Sequence, residues 1–150
     1  MGEDGNAVNW FEIPVRDLSR ATDFYEYVFG VTLTQNDMGP MRMAWFPMTI
    51  NAAGASGTLI QAEGYEPSHA GTLVYFAVPD IERSLIRVGE RGGTTLMPKM
   101  SIGEHGYIAH FLEFSRDSRL IRPSVIDILP VTMGSARVPL SVASRSTMPP

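Results

Sequence analysis

The sequence predicts an α+β fold of two βαβββ modules whose strands form a curved sheet enclosing a cup. Three observations carry that expectation. The chain repeats itself at an offset of 63 residues, each copy opens with an apolar-alternating segment followed by a helical one, and a glycine closes each helical segment. A chain of 150 residues suits one domain or two small fused modules. Aligned without gaps, 8–35 and 71–98 share Val15/Val78, Asp17/Asp80, Arg20/Arg83, Gly30/Gly93, Thr32/Thr95 and Leu33/Leu96. Ordinary composition would give about two such identities. A second echo at offset 65 sets Met43-Ala44-Trp45-Phe46 beside Ile108-Ala109-His110-Phe111. The predicted modules are 8–64 and 70–125, with an irregular tail over 126–150.

The first strand is expected over 8–15. Phe11, Ile13 and Val15 share one face there, and Trp10, Glu12 and Pro14 the other. Asp17 then stands where a helix begins, a site that carboxylates favour. Leu18, Ala21, Phe24, Tyr25 and Val28 follow at helical spacing, and Gly30 is placed for a left-handed C-terminal cap. Val31-Thr32-Leu33 is rich in β-formers, and further strands are predicted at 42–48 and 58–62. Pro67, Ser68 and Gly71 mark the junction. The second module repeats the scheme with Val74, Phe76 and Val78 facing the helix, Asp80 and Gly93 at the helix ends, and strands at 94–97 and 107–114. A helix covers one face of each sheet, so the other face needs cover or a ligand. Trp10, Glu12, Leu73 and Tyr75 point toward that second face.

Composition narrows the function classes. Twelve basic residues against sixteen acidic ones give a net charge of −4, and no basic stripe marks a nucleic-acid footprint. Zero cysteines exclude a disulfide scaffold, thiol catalysis and cysteine-bound zinc. No apolar run approaches the roughly eighteen residues of a membrane span. The opening Met1-Gly2-Glu3-Asp4-Gly5-Asn6 lacks the basic and apolar regions of a secretory signal, and Asn6 breaks the myristoylation pattern. A cytoplasmic protein without nucleic-acid or membrane partners is expected.

Phe11-Glu12-Ile13-Pro14-Val15-Arg16-Asp17-Leu18, then Ala21, Phe24-Tyr25 and Phe29-Gly30-Val31, resembles the start of a vicinal oxygen chelate protein. That superfamily includes glyoxalase I, bleomycin-resistance proteins and extradiol dioxygenases. The likeness covers residues 8 to about 113, entering the second module at Gly71 and continuing in Ser101-Ile102-Gly103-Glu104-His105-Gly106. It implies the fold and a homodimer whose subunits complete each other's cups. It does not choose among lyases, dioxygenases and drug binders.

In the metal-using members, four His, Glu or Gln ligands come from the cup faces. The resemblance sets the first at Trp10 and the second at Leu73, each seven residues before its helix-initiating aspartate. Neither side chain can bind a divalent ion. A third ligand would come from 59–62, where Gln61 qualifies, and a fourth from a final strand after Glu113. The family's Gly-Asn turn and Gly-Leu ending are replaced there by Phe114-Ser115-Arg116-Asp117-Ser118-Arg119-Leu120-Ile121-Arg122-Pro123. A one-base shift over codons 117–125 could encode Thr-Pro-Gly-Ser-Phe-Gly-Leu-Gln-Ser. A last strand altered or lost through a frameshift near Glu113, with a non-native tail, stands beside genuine divergence.

Glu12 is the leading catalytic candidate, a carboxylate among apolar neighbours where burial would suit a general base. Tyr75 is the second, as a hydrogen-bond donor to a ligand oxygen. Glu12 satisfied by Tyr75 within the core is the structural alternative. Trp10 and Trp45 would wall a site for a flat or cationic ligand, with Leu73 and Gln61 beside them. His105 and His110 are further ligand-binding candidates whose odd spacing sets them on opposite strand faces. The leading expectation is a small-molecule binder that holds an apolar or aromatic ligand without a metal or other cofactor. A lyase or dioxygenase using a divalent ion, and a non-catalytic interaction domain, are the alternatives.

Overall fold

The computed structural model describes residues 8–52, 54–68 and 72–113, together with the backbone of 123–129. The first module runs β1 (Trp10–Pro14), α1 (Leu18–Phe29), β2 (Thr34–Gln35), β3 (Arg42–Trp45) and β4 (Ser56–Gln61). The second runs β5 (Tyr75–Phe76), α2 (Ile81–Glu90), β6 (Thr94–Ser101), β7 (Tyr107–Leu112) and β8 (Pro123–Leu129), with a 3₁₀ turn at Gly103–His105. The sheets have matching orders, β1-β4-β3-β2 and β5-β8-β7-β6. In each, the module's last strand pairs parallel to its first and antiparallel to its third. The place of the final strand is therefore filled by β8, where Val125-Ile126 offers β-branched residues suited to a ladder. It runs to Leu129, past the boundary drawn at 125. Residues 114–122 and the tail from 130, where the departure from the family pattern was placed, lie outside the described residues.

Both helices start as the aspartates predict. Asp17 accepts a hydrogen bond from the Arg20 amide at 3.1 Å, and Asp80 from the Arg83 amide at 3.0 Å. Each such cap contributes about 1 kcal/mol by satisfying an amide the helix cannot. The helix ends differ. Gly30 is left-handed (φ 65°) and its amide donates to the Glu26 carbonyl, as expected. Gly93 is not the cap. Arg91 follows the last turn of α2, and Gly92 takes the positive φ of 80°. Gly93 is needed instead for close approach, because a Cβ there would lie 2.6 Å from Val88 Cγ1 and 2.7 Å from the Leu112 carbonyl.

The helix-facing sides of both sheets share one core. Ile13, Ala44 and Leu59 of the first sheet, Phe24, Tyr25 and Val28 of α1, Ile81 and Val88 of α2, and Ala109 and Phe111 of β7 form a single buried cluster. Helix α1 reaches both sheets. Phe24 stacks on Phe111 with centroids 6.0 Å apart, and Phe29 stacks on Phe76 at 4.6 Å. The opposite faces of the sheets point away from this core. No helix among the described residues is long and apolar enough to cross a membrane.

Candidate functional site

Register decides which side chains share the outward face of the first sheet. Thr58 of β4 lies between Glu12 of β1 and Trp45 of β3, and Trp10 is opposite Ser56. Paired residues face the same way, so Trp10, Glu12, Ser56, Thr58 and Trp45 belong to one surface. Trp10 and Trp45 are half-buried and meet edge to face, with centroids 5.2 Å apart and planes at 73°. The Trp45 indole Nε1 is buried without a hydrogen-bond partner among the described residues. An unmet donor of this kind costs about 1–3 kcal/mol, so the Trp45 ring is held by packing rather than by its polar atom. Thr58 is fully buried, and its hydroxyl donates within the sheet to the Ala44 and Leu59 carbonyls. The floor between Glu12 and Trp45 is therefore apolar in effect. Nothing in the sequence singled Thr58 out, because its burial comes from the two neighbouring strands.

The second sheet presents Tyr75 and His110 outward. Their backbones flank that of Val125, and their rings meet at 84° with centroids 6.3 Å apart. The repeat placed Trp45 and His110 at equivalent positions, and both face outward while their neighbours Ala44 and Ala109 are buried in the core. Leu73 and Tyr75 are 40% and 44% exposed, amounts of apolar and aromatic surface that a lone side chain does not explain when it recurs on one face.

Three candidates fall elsewhere than expected. Gln61 is not on the outward face. It pairs with Arg42 in the row beyond Ile60, and its Oε1 accepts a hydrogen bond from the Leu18 amide at 3.0 Å. Strand parity thus turns it toward the helix, where it satisfies a free amide of α1's first turn. Glu12 is exposed, so the burial that suggested a general base is missing, and the side chain that meets Tyr75 is that of His110. His105 sits in the 3₁₀ turn with its side chain 76% exposed, 3.9 Å from the Glu104 carboxylate and off the strand that carries His110.

Among the described residues, no three His, Asp or Glu side chains are grouped to hold a metal ion. The family's first two ligand positions carry an indole and an isobutyl group, and Gln61 is committed to α1. Among the described residues, these positions offer no set of donors for a divalent ion.

Comparisons with known proteins agree with this architecture. The family model for the Glyoxalase/Bleomycin resistance protein/Dioxygenase superfamily matches residues 7–116. No curated protein matches the sequence. Among solved structures, a glyoxylase/bleomycin resistance protein/dioxygenase domain from Frankia sp. EAN1pec superposes with a TM-score of 0.57 at 15% identity, covering 81% of this chain and 97% of that one. A glyoxalase/bleomycin resistance protein from Streptomyces sp. CB03234 gives 0.55 at 22% identity, covering 80% and 99%. Glyoxalase I from Zea mays gives 0.56 at 20% identity over 79% of this chain, which spans 44% of the maize protein's length.

Proposed function

Because the chain belongs to the glyoxalase/bleomycin resistance protein/dioxygenase superfamily, we propose that it binds an apolar or aromatic small molecule on the outward sheet faces, without a metal. The observation that carries this reading is the Trp10–Trp45 edge-to-face pair, set over an apolar floor at the place where metal-using relatives carry a ligand. Flat rings at right angles make a corner that takes a second flat or cationic group against one face. Tyr75 and His110 supply a matching aromatic corner with three polar atoms. Helices α1 and α2 are already packed together within the chain, so the outward faces are left for a second copy. A homodimer that sets the first-module face of one copy against the second-module face of the other encloses the ligand.

Both tryptophans of the chain lie on this face, so intrinsic fluorescence reports on it alone. Titration with neutral aromatic compounds is expected to quench that emission saturably, and Trp10→Ala to weaken binding by roughly tenfold. Metal analysis of chelator-free protein belongs beside it, with Ni, Zn, Mn and Fe titrations followed by melting temperature. Near-stoichiometric metal with a clear gain in stability would overturn the reading in favour of a lyase or dioxygenase. A strict monomer at working concentrations would overturn the shared cup.

A further inference from the structure

A cavity of about 610 Å³ lies at the junction of the two modules on their helix side, away from the Trp10–Trp45 corner. Its floor is aromatic. Phe11, Phe29, Phe46 and Phe76 line it, and each is only partly buried although Phe76 meets the other three rings, and Phe11 meets Phe46, at 4.6–5.9 Å. Four phenylalanines meeting in the core of a small domain would ordinarily close on one another and exclude water. Here they leave a concavity of the size that holds a drug-sized ligand.

The rim is charged on one side. Arg83 and Arg87 stand four residues apart on α2, hence on one helix face, and both line the cavity. The Arg87 guanidinium lies over the Tyr27 ring at 5.1 Å. That of Arg83 makes no ion pair or hydrogen bond among the described residues. Asp80 also lines the cavity, but its carboxylate is engaged by the Arg83 amide as the helix cap. Ser84 is likewise committed, donating to the Asp80 carbonyl. The polar groups left to a ligand are then the guanidinium donors, which favour a carboxylate or sulfonate, and the Tyr75 hydroxyl. The opposite wall is Gly54-Ala55-Ser56, small residues that let a flat body lie close.

The geometry points to a second ligand site in this helix-side cavity, for an organic anion with an aromatic or apolar body. The anionic group meets Arg83 and Arg87 and the body lies on the phenylalanines. This site borders the outward faces at Ser56 and Tyr75, which line it too, but its phenylalanines and arginines belong to neither face, so it stands whether or not those faces bind a ligand.

The test uses a matched pair of fluorescent probes, 1-anilinonaphthalene-8-sulfonate and N-phenyl-1-naphthylamine, which share a ring system and differ by the sulfonate. The full chain is expected to bind the sulfonate one to one, about tenfold or more tighter than the uncharged amine. Arg83→Gln is expected to remove most of that preference while leaving the amine's affinity unchanged. Ala55→Trp, which fills the wall opposite the arginines, is expected to block both probes. Ala55 is exposed, and far-UV circular dichroism checks that this variant folds. Trp10→Ala is expected to leave both affinities as they were. Equal binding of the two probes, a sulfonate preference that survives Arg83→Gln, or loss of both probes in Trp10→Ala with none in Ala55→Trp would overturn the proposal. Loss in Trp10→Ala would also assign the probes to the outward face, so failure here and failure of the proposed function are read separately.

Discussion

The two modules are copies of one plan whose sheets diverge on one face. Toward the shared core the strands keep their chemistry, while on the helices Phe24 and Val28 answer Arg87 and Arg91. Ile13 answers Phe76, Val15 answers Val78, Ala44 answers Ala109 and Phe46 answers Phe111, all apolar and all buried or partly buried. On the outward faces Trp10 answers Leu73, Glu12 answers Tyr75 and Trp45 answers His110. Regularity differs too. The first sheet pairs without a register shift, whereas the second shifts between Thr95 and Met97, between Met97 and Met100, and between Tyr107 and Ala109. Pro98 lies within that irregular stretch of β6, at the sheet edge, where a residue lacking an amide proton is tolerated and blunts the edge against further pairing. Packing against the helices restrains one face of each copy, and the other face is free to specialise.

The comparison breaks most visibly if the core is not shared. Phe111 is fully buried in the second sheet and stacks on Phe24 of the first module's helix. Phe111→Ala is expected to cost about 3–5 kcal/mol through lost burial and the cavity left behind. Both tryptophans are in the first module, so their emission follows that half, while far-UV circular dichroism follows both. Coincident urea transitions, both moved to lower midpoint, are the expected result. A fluorescence midpoint that stays put while the dichroism midpoint falls would show two independent modules.

What the sequence made legible follows the same division. Helix starts were readable because an aspartate cap is a local signal, and the repeat was readable because buried positions keep their character. Trp45 and His110 could be set on one face by their place in the repeat alone. The facing of Gln61 could not, because the adjacent Leu59 and Ile60 are both apolar and both buried, so the segment does not mark which parity meets the helix. Glu12 looked buried because its neighbours in sequence are apolar, yet exposure is decided by what covers the face. The junction cavity had no signal in any single segment, since it is made by phenylalanines from two strands, a helix and the residue that follows β3.

The glycines closing the helices sharpen the comparison at a smaller cost. Gly30 and Gly93 are repeat equivalents with different duties, a left-handed backbone at one and the absence of a Cβ at the other. Gly93→Ala is expected to cost about 1–3 kcal/mol by overpacking against Val88 and the Leu112 carbonyl. Gly30→Ala is expected to cost about 1 kcal/mol for the left-handed conformation alone. Asparagine separates the two duties, because it visits the left-handed region readily but brings a larger side chain. Gly30→Asn should be milder than Gly30→Ala, and Gly93→Asn worse than Gly93→Ala, in urea denaturation. Equal tolerance of asparagine at both sites would mean that the second helix ends as the first does.

The smallest effect lies where the copies touch. Tyr27 and Glu90 are repeat equivalents, and the Tyr27 hydroxyl donates to Glu90 Oε2 at 2.5 Å, so this bond joins α1 to α2 at matching positions of the two copies. Arg91 lies over the same ring at 4.1 Å. The hydrogen bond to the Glu90 carboxylate, with some desolvation and the repulsion of that negative charge, raises the Tyr27 pKa above its ordinary 10.0, although Arg87 and Arg91 pull it down. A raised folded-state value means that the neutral phenol is favoured in the folded protein. Its contribution is therefore present below pH 10 and is lost as pH climbs through the folded value. Tyr27→Phe is expected to lower stability slightly at neutral pH and to flatten the fall in stability above about pH 10. Absorbance at the phenolate band should show one tyrosine of the native protein titrating later than in the unfolded chain, and that late step should vanish in the variant. A late step that persists in Tyr27→Phe would place the effect on another tyrosine and leave the contact between the copies to the core alone.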